Sequence, residues 1–108
     1  ILGFTFKENC PDIRNTQVAK MNFELKKYGI NPRIVDPIAN AEECQRIYDV
    51  KIENKIPDAR EFDVVIGAVP HKEFLKIQKS SFEKIISENG FFYDIKGFLP
   101  RELNIIRL

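Results

Sequence analysis

The run FDVVIGAV, residues 62–69, decides the fold. Apart from Asp63 and Gly67 it is apolar, and it is too short for a buried helix, so it reads as a strand covered on both faces. Strands of that kind belong to parallel sheets, whose neighbours are joined by crossovers of a dozen or more residues. The flanking sequence supplies them. Upstream, ILGFTF at residues 1–6 is a shorter apolar strand that ends in a turn cluster containing Pro11. Residues 14–28 carry Val18, Met21, Phe23 and Leu25 mostly at helical spacing, and Gly29 follows as a C-cap. The stretch PRIVDP, residues 32–37, is a second strand closed by Pro37. A second helix spans residues 39–50, with Ala41, Cys44, Ile47 and Tyr48 on one face and glutamates in its first turn, where the helix dipole favours them.

Between that helix and the central run lies a polar, poorly patterned stretch. Downstream, residues 71–89 predict a helix broken near Ser80-Ser81 and capped by Gly90. FFYD at 91–94 is the next strand, and residues 105–108 are a last, short one. Strands alternating with helices define βαβ units. The expected fold class is therefore α/β: a Rossmann-like, doubly wound, mainly parallel sheet in a three-layer α/β/α arrangement.

At 108 residues the chain suits one domain with one core. Hydrophobic residues make up 44% and charged ones 31%, a composition that folds. Seventeen basic against sixteen acidic side chains leave a net charge of +1, which gives no field to gather nucleic acid or an anionic membrane. Any anion must be caught locally. Cys10 and Cys44 are too few for a disulfide framework and lack metal-ligand spacing, so free thiols are expected. With no membrane-length apolar run and no leader pattern, the expected location is the cytoplasm. The chain opens directly in an apolar strand without Met, which suggests a fragment of a longer protein.

In a doubly wound sheet, ligands bind outside the carboxyl ends of the strands. Lys7, Asp36, His71, Asp94 and Lys96 all fall at or just past such ends. Two ammonium groups at neighbouring strand ends, Lys7 and Lys96, could bracket a diphosphate beside helix N-terminal N–H groups. From spacing alone, a solvated charge beside a turn is the plainer reading of each. Asp12 could serve near the N-cap of the first helix. Arg14 at that helix end opposes the dipole, which hints at a bound anion, and an Asp12–Arg14 surface pair is the plainer alternative. His71 is an acid/base candidate only where a carboxylate reaches it, and capping or hydrogen bonding the next helix is the better reading. Cys10 and Cys44 read as structural. No G-x-G-x-x-G, P-loop, HExxH or G-x-S-x-G is present, so the chain carries no complete catalytic apparatus.

Leu2-Gly3-Phe4-Thr5-Phe6-Lys7 and Asp12-Ile13-Arg14-Asn15-Thr16 resemble a motif of the UDP-glucose/GDP-mannose dehydrogenases, in their C-terminal UDP-sugar-binding domain. Val35-Asp36-Pro37, the run from Ala68 to Phe74, and Tyr93-Asp94-Ile95-Lys96 follow in family order, and the resemblance covers nearly the whole chain. The form around Asn9-Cys10-Pro11 is most similar to the branch acting on UDP-N-acetylhexosamines for bacterial surface polysaccharides. The resemblance implies an NAD-dependent oxidation of a sugar C6 alcohol to a carboxylate through a thiohemiacetal on a cysteine that this chain lacks. It implies that Phe6, Lys7 and Lys96 contact the UDP-sugar and that Arg14 lies near NAD. Gly97 stands where some members have a second basic residue.

The expected organisation is one UDP-sugar-binding domain over residues 1–108. The NAD-binding and dimerising domains would lie elsewhere in a parent enzyme that is a homodimer or larger. This fragment would hold no catalytic residue, no metal, no nucleic acid and no membrane. The alternatives are a stand-alone nucleotide-binding module and a phospho-receiver-like signalling module. The latter needs an acidic pair after the first strand, where this chain has Lys7.

Overall fold

The computed structural model describes residues 1–58 and 61–107. In chain order these form α1 (Gln17–Lys27), β1 (Ile34–Val35), α2 (Ala41–Tyr48), β2 (Ile52–Glu53), β3 (Phe62–Gly67), α3 (Lys72–Leu75), α4 (Lys79–Glu83), β4 (Ile86–Asp94) and β5 (Ile105–Arg107). Every strand pairing is parallel.

The sheet forms two blocks, β1 with β2 and β3 with β4 and β5, and the first residues of the chain join them. Leu2 bridges Val35 on one side and Gly67 on the other, both in parallel. The Leu2 N–H donates to the Ile66 carbonyl at 2.8 Å and the Gly3 N–H to that of Val35 at 2.7 Å. Across the sheet the order is β2, β1, the Leu2 segment, β3, β4, β5, and the winding reverses between the Leu2 segment and β3. That is the doubly wound arrangement, with its ligand crevice expected at the reversal. The expected strand over residues 1–6 is thus central but reduced to isolated bridges, because the chain turns at Gly3.

Gly3 has φ +99°, and a Cβ there would lie 2.5 Å from Val69 Cβ. Alternation along a strand would put Leu2 and Phe4 on the same face. The positive φ breaks it: Leu2 joins Val35, Val65, Phe74, Phe82 and Phe92 on one side of the sheet, while Phe4 joins Val18, Ile34, Cys44 and Ile52 on the other.

Several boundaries differ from the sequence expectations. β2 lies in the stretch read as patternless, because it is two residues long and only Ile52 is buried. The helical break falls at residues 76–78, and Ser80 and Ser81 lie inside α4. Gly90 does not cap a helix. It sits in β4, where the register with β3 slips and a Cβ would lie 2.7 Å from Ile86. The central run is not covered on both faces: Val64 is 41% exposed, and Ile106 of β5 is 49% exposed. Phe23 and Ile47, expected on the buried faces of their helices, also stay exposed. The last strand holds for Ile105–Arg107, while Leu108 lies outside the described residues. Gly29 does close α1, at φ +80°, with its N–H on the Lys26 carbonyl and the Ile30 N–H on that of Leu25.

The strand ends are tied together by the fully buried carboxylate of Asp36. Its Oδ2 accepts from the N–H groups of Phe4 (2.7 Å) and Thr5 (3.1 Å) and lies 2.8 Å from His71 Nε2. Its Oδ1 accepts from Ile38 and Ala39, both at 2.9 Å. Burial works against the charge, but the His71 ring and the Phe4 and Ile38 amides together outweigh it and hold the carboxyl below the usual carboxylate range.

Two outcomes are expected from this arrangement. Gly3→Ala combines a left-handed φ with a clash and should cost about 3 kcal/mol, read from the denaturant midpoint. A carboxyl lowered on folding stabilises fully above its unfolded value near ~3.9, and that stability is lost as pH falls through the lower folded value. Asp36→Asn should therefore cost about 3 kcal/mol at neutral pH and flatten the acid limb of the stability curve below about pH 4, measured by urea unfolding against pH.

Candidate functional site

The crevice at the reversal is lined by Thr5 and Phe6 from the first segment, Gln17, Val18 and Met21 from α1, Ala68 and Val69 after β3, and Ile95 and Lys96 after β4, with a volume of about 380 Å³. It lies at the carboxyl ends of the strands and opens against the first turn of α1. That helix presents backbone N–H groups, and no acidic side chain stands in its first turn.

How α1 begins decides what the crevice is made of. The helix starts at Gln17 rather than at residue 14, because Thr16 is its N-cap and accepts from the Val18 N–H at 3.2 Å. The buried Thr16 hydroxyl also donates to the Phe4 carbonyl, which pins the helix to the first strand segment. Asp12 therefore caps nothing. Its carboxylate accepts from the Arg14 backbone N–H (2.9 Å), Nε (3.0 Å) and Nη2 (2.8 Å), and these contacts hold Asp12 down to about 2. Arg14 stands ahead of the helix with its side chain 83% exposed, beside a small hollow of about 160 Å³ formed with Phe6, Asp12 and Asn15.

Phe6 stands between the two hollows and is 55% exposed. Its N–H donates to the Asp12 carbonyl at 2.8 Å, closing the turn over residues 6–12. Lys7 is exposed on that turn and does not line the crevice itself. Lys96 does line it, carried on a loop fixed by buried Asp94, whose carboxylate accepts from Gly97 (2.9 Å) and Leu99 (2.8 Å). Among the described residues neither lysine is in an ion pair, unlike Arg33, which holds Glu53 and Glu61. The structure thus brings Phe6 and Lys96 to one crevice, with Lys7 at its outer lip and Arg14 on the far side of the Phe6 ring.

His71 meets the carboxylate that its acid/base reading required, yet both side chains are fully buried and line no described hollow. It occupies the N-cap position of α3 without a side-chain capping bond, so its hydrogen bonds serve the neighbouring segments rather than the helix. Burial pushes the Cys44 thiol up to about 11, which makes it a core residue and a poor nucleophile. Cys10 is half-buried and free. No cluster of three metal-ligating side chains occurs among the described residues, and no helix among them is long and apolar enough to cross a membrane. Sequence reasoning missed Thr5, Gln17 and Met21 as lining residues. The signal that was available was Thr16, an N-cap type immediately before the helical pattern, which sets the first turn of α1 against the crevice.

Comparison with known proteins gives one consistent answer. Residues 1–101 match the UDP-glucose/GDP-mannose dehydrogenase family, UDP binding domain. The chain is 39% identical over 107 residues to Protein CapL of Staphylococcus aureus, covering 97% of this chain and 24% of that protein. It is 39% identical over 108 residues to the UDP-N-acetyl-D-glucosamine 6-dehydrogenase of Salmonella typhi, and 34% identical to the enzyme of the same name from Pseudomonas aeruginosa. These matches cover 100% of this chain and 25% of each enzyme. The chain spans about a quarter of the length of the curated relatives it matches. It belongs to the UDP-glucose/GDP-mannose dehydrogenase family, as its UDP binding domain.

Proposed function

We propose that residues 1–108 are the single UDP-sugar-binding domain of a longer NAD-dependent nucleotide-sugar 6-dehydrogenase. Its substrate would be a UDP-N-acetylhexosamine, oxidised at C6 to the uronate for a bacterial surface polysaccharide. The observation that carries this is the crevice at the winding reversal, where an exposed aromatic ring and a lysine with no carboxylate partner among the described residues flank a helix N-terminus. A nucleoside diphosphate has the matching parts: a planar base for the Phe6 ring and two phosphates for cations and backbone N–H groups. The names of the two dehydrogenase relatives favour the acetylated sugar.

In this reading Phe6 and Lys96 hold the UDP portion, Lys7 closes over it from the lip, and the sugar extends toward the rest of the parent enzyme. Oxidising the alcohol to a carboxylate takes water and two NAD⁺ and releases two NADH and three protons, the hydride acceptance being what NAD would supply when bound. Arg14 fits only an edge contact to that cofactor: it is exposed and reachable, but it is already held by Asp12, and no Gly-rich phosphate turn accompanies it. NAD would be bound mainly by a domain outside this chain. The nucleophilic cysteine and the dimerising contacts would also lie outside it, and a cytoplasmic location follows from the use of NAD and a sugar nucleotide.

The test is an NMR titration of the isotope-labelled chain with UDP. Saturable shifts at Phe6, Lys7, Gln17 and Lys96 are expected, with weak affinity because half a cleft supplies only part of the desolvation. Shifts confined to Arg33 and Phe62, at the opposite ends of the strands, would overturn the assignment. The chain given NAD and a UDP-hexose should form no NADH. In the parent enzyme, Lys7→Ala should lower kcat/KM for the sugar nucleotide by about 2 kcal/mol. Arg14→Ala should weaken NAD more than the UDP-sugar, and calorimetry showing the reverse order would remove Arg14 from the cofactor's edge.

A further inference from the structure

Lys7 sits on a turn whose shape is set from inside the protein. Its carbonyl accepts from the Thr5 hydroxyl at 3.1 Å, and two residues later Asn9, at φ +59°, donates its N–H to His71 Nδ1 at 3.0 Å. The Asn9 side chain extends the grip, with Oδ1 accepting from the Lys72 N–H at 2.8 Å. His71 Nε2 lies 3.0 Å from Thr5 Oγ1 and 2.8 Å from Asp36 Oδ2.

These partners settle the tautomer. A backbone N–H can only donate, so Nδ1 carries no proton and Nε2 carries the one that faces Asp36 and Thr5. The Thr5 hydrogen goes to the Lys7 carbonyl, which leaves its oxygen free to accept from Nε2. One neutral imidazole therefore joins the buried carboxylate to both flanks of Lys7. The ring itself is fully buried and lines neither the crevice nor the hollow beside Arg14.

We infer that His71, with Asn9, is a positioning residue for nucleotide binding: it presents the Phe6–Lys7 lip in its ligand-ready shape. The inference rests on the reading of residues 6 and 7 as UDP contacts. An exposed turn with two free ends samples many shapes, and each one discarded on binding weakens affinity. Tying Asn9 to the β3–α3 connection removes that cost in advance.

The two ring nitrogens can be tested separately. In His71→Gln the side-chain amide reaches where Nε2 was and keeps a donor for Asp36, but it offers no acceptor to Asn9. In His71→Asn the side-chain oxygen stands where Nδ1 was and keeps the acceptor for Asn9, while the Asp36 bond is lost. Both are made in the labelled chain and read by amide hydrogen exchange, urea midpoint and UDP titration. His71→Gln should expose the Asn9 amide to exchange while Phe4 and Thr5 remain protected, and should weaken UDP about tenfold. His71→Asn should do the opposite, with a lowered midpoint but Asn9 still protected and UDP affinity near that of the unaltered chain below the transition. Asn9→Gly tolerates the same φ, lies outside the core and loses only the bond to Lys72, so it should weaken UDP in a well-folded background. If His71→Gln and Asn9→Gly bind UDP like the unaltered chain, the positioning role is wrong. If affinity merely tracks the midpoint in both His71 variants, His71 is structural. An unaltered chain that takes up no UDP overturns the functional reading instead.

Discussion

A buried carboxylate with all its lone pairs occupied organises this domain. Asp36 collects the amides of Phe4 and Thr5, those of Ile38 and Ala39, and the ring of His71, and so gathers three separate connections at the ligand end of the sheet. An ion this deep is tolerable only when hydrogen bonds replace its hydration, and five donors do so. The same atoms fix where the first strand segment stops and where the lip begins. Stability and site geometry are consequently not separable at Asp36, although they are at Asn9, which lies on the surface end of the chain of contacts.

Much of the architecture was legible in the sequence because it rests on patterns of the right period. The apolar run at residues 62–69 announced a parallel sheet, Gly29 a helix end, and the glutamates ahead of Cys44 a helix start. What escaped was set by tertiary contacts. β2 consists of Ile52 and Glu53, too short to carry any period, and it exists because β1 offers an unpaired edge. Gly90 has the type of a cap but lies in β4 because the chain must pass close to Ile86 and Asp63 there. Val64 has the type of a core residue, yet it stays exposed in β3.

The site was legible in part for the same reason. Strand ends can be read from sequence, so Lys7 and Lys96 could be placed on one edge together; Lys96 lines the crevice, but the residue beside it there is Phe6, which only the resemblance singled out. Which side chains face inward could not be read, since the turn over residues 6–12 is held in part by His71, some sixty residues away. Lys7 is exposed on that turn beside Phe6 and does not line the crevice. Arg14 was expected at the helix terminus, and Thr16 displaced that terminus by three residues.

Leu2 also bears on the order in which the domain is assembled. Its neighbours Ile1 and Gly3 bond to Val35, and Leu2 itself bonds to Ile66, Ala68 and Val69, more than thirty and more than sixty positions later in the chain. This apolar segment has no sheet neighbour on one side until β1 has followed it, and none on the other until β3 has. Closing such long loops is entropically slow, and an unpaired hydrophobic strand is exposed to misassociation while it waits. The first residues join the two blocks of the sheet, and in that position the amides of Phe4 and Thr5 reach Asp36. The crevice at the winding reversal, lined from both residues 5–6 and residues 68–69, therefore exists only where that long-range closure is made.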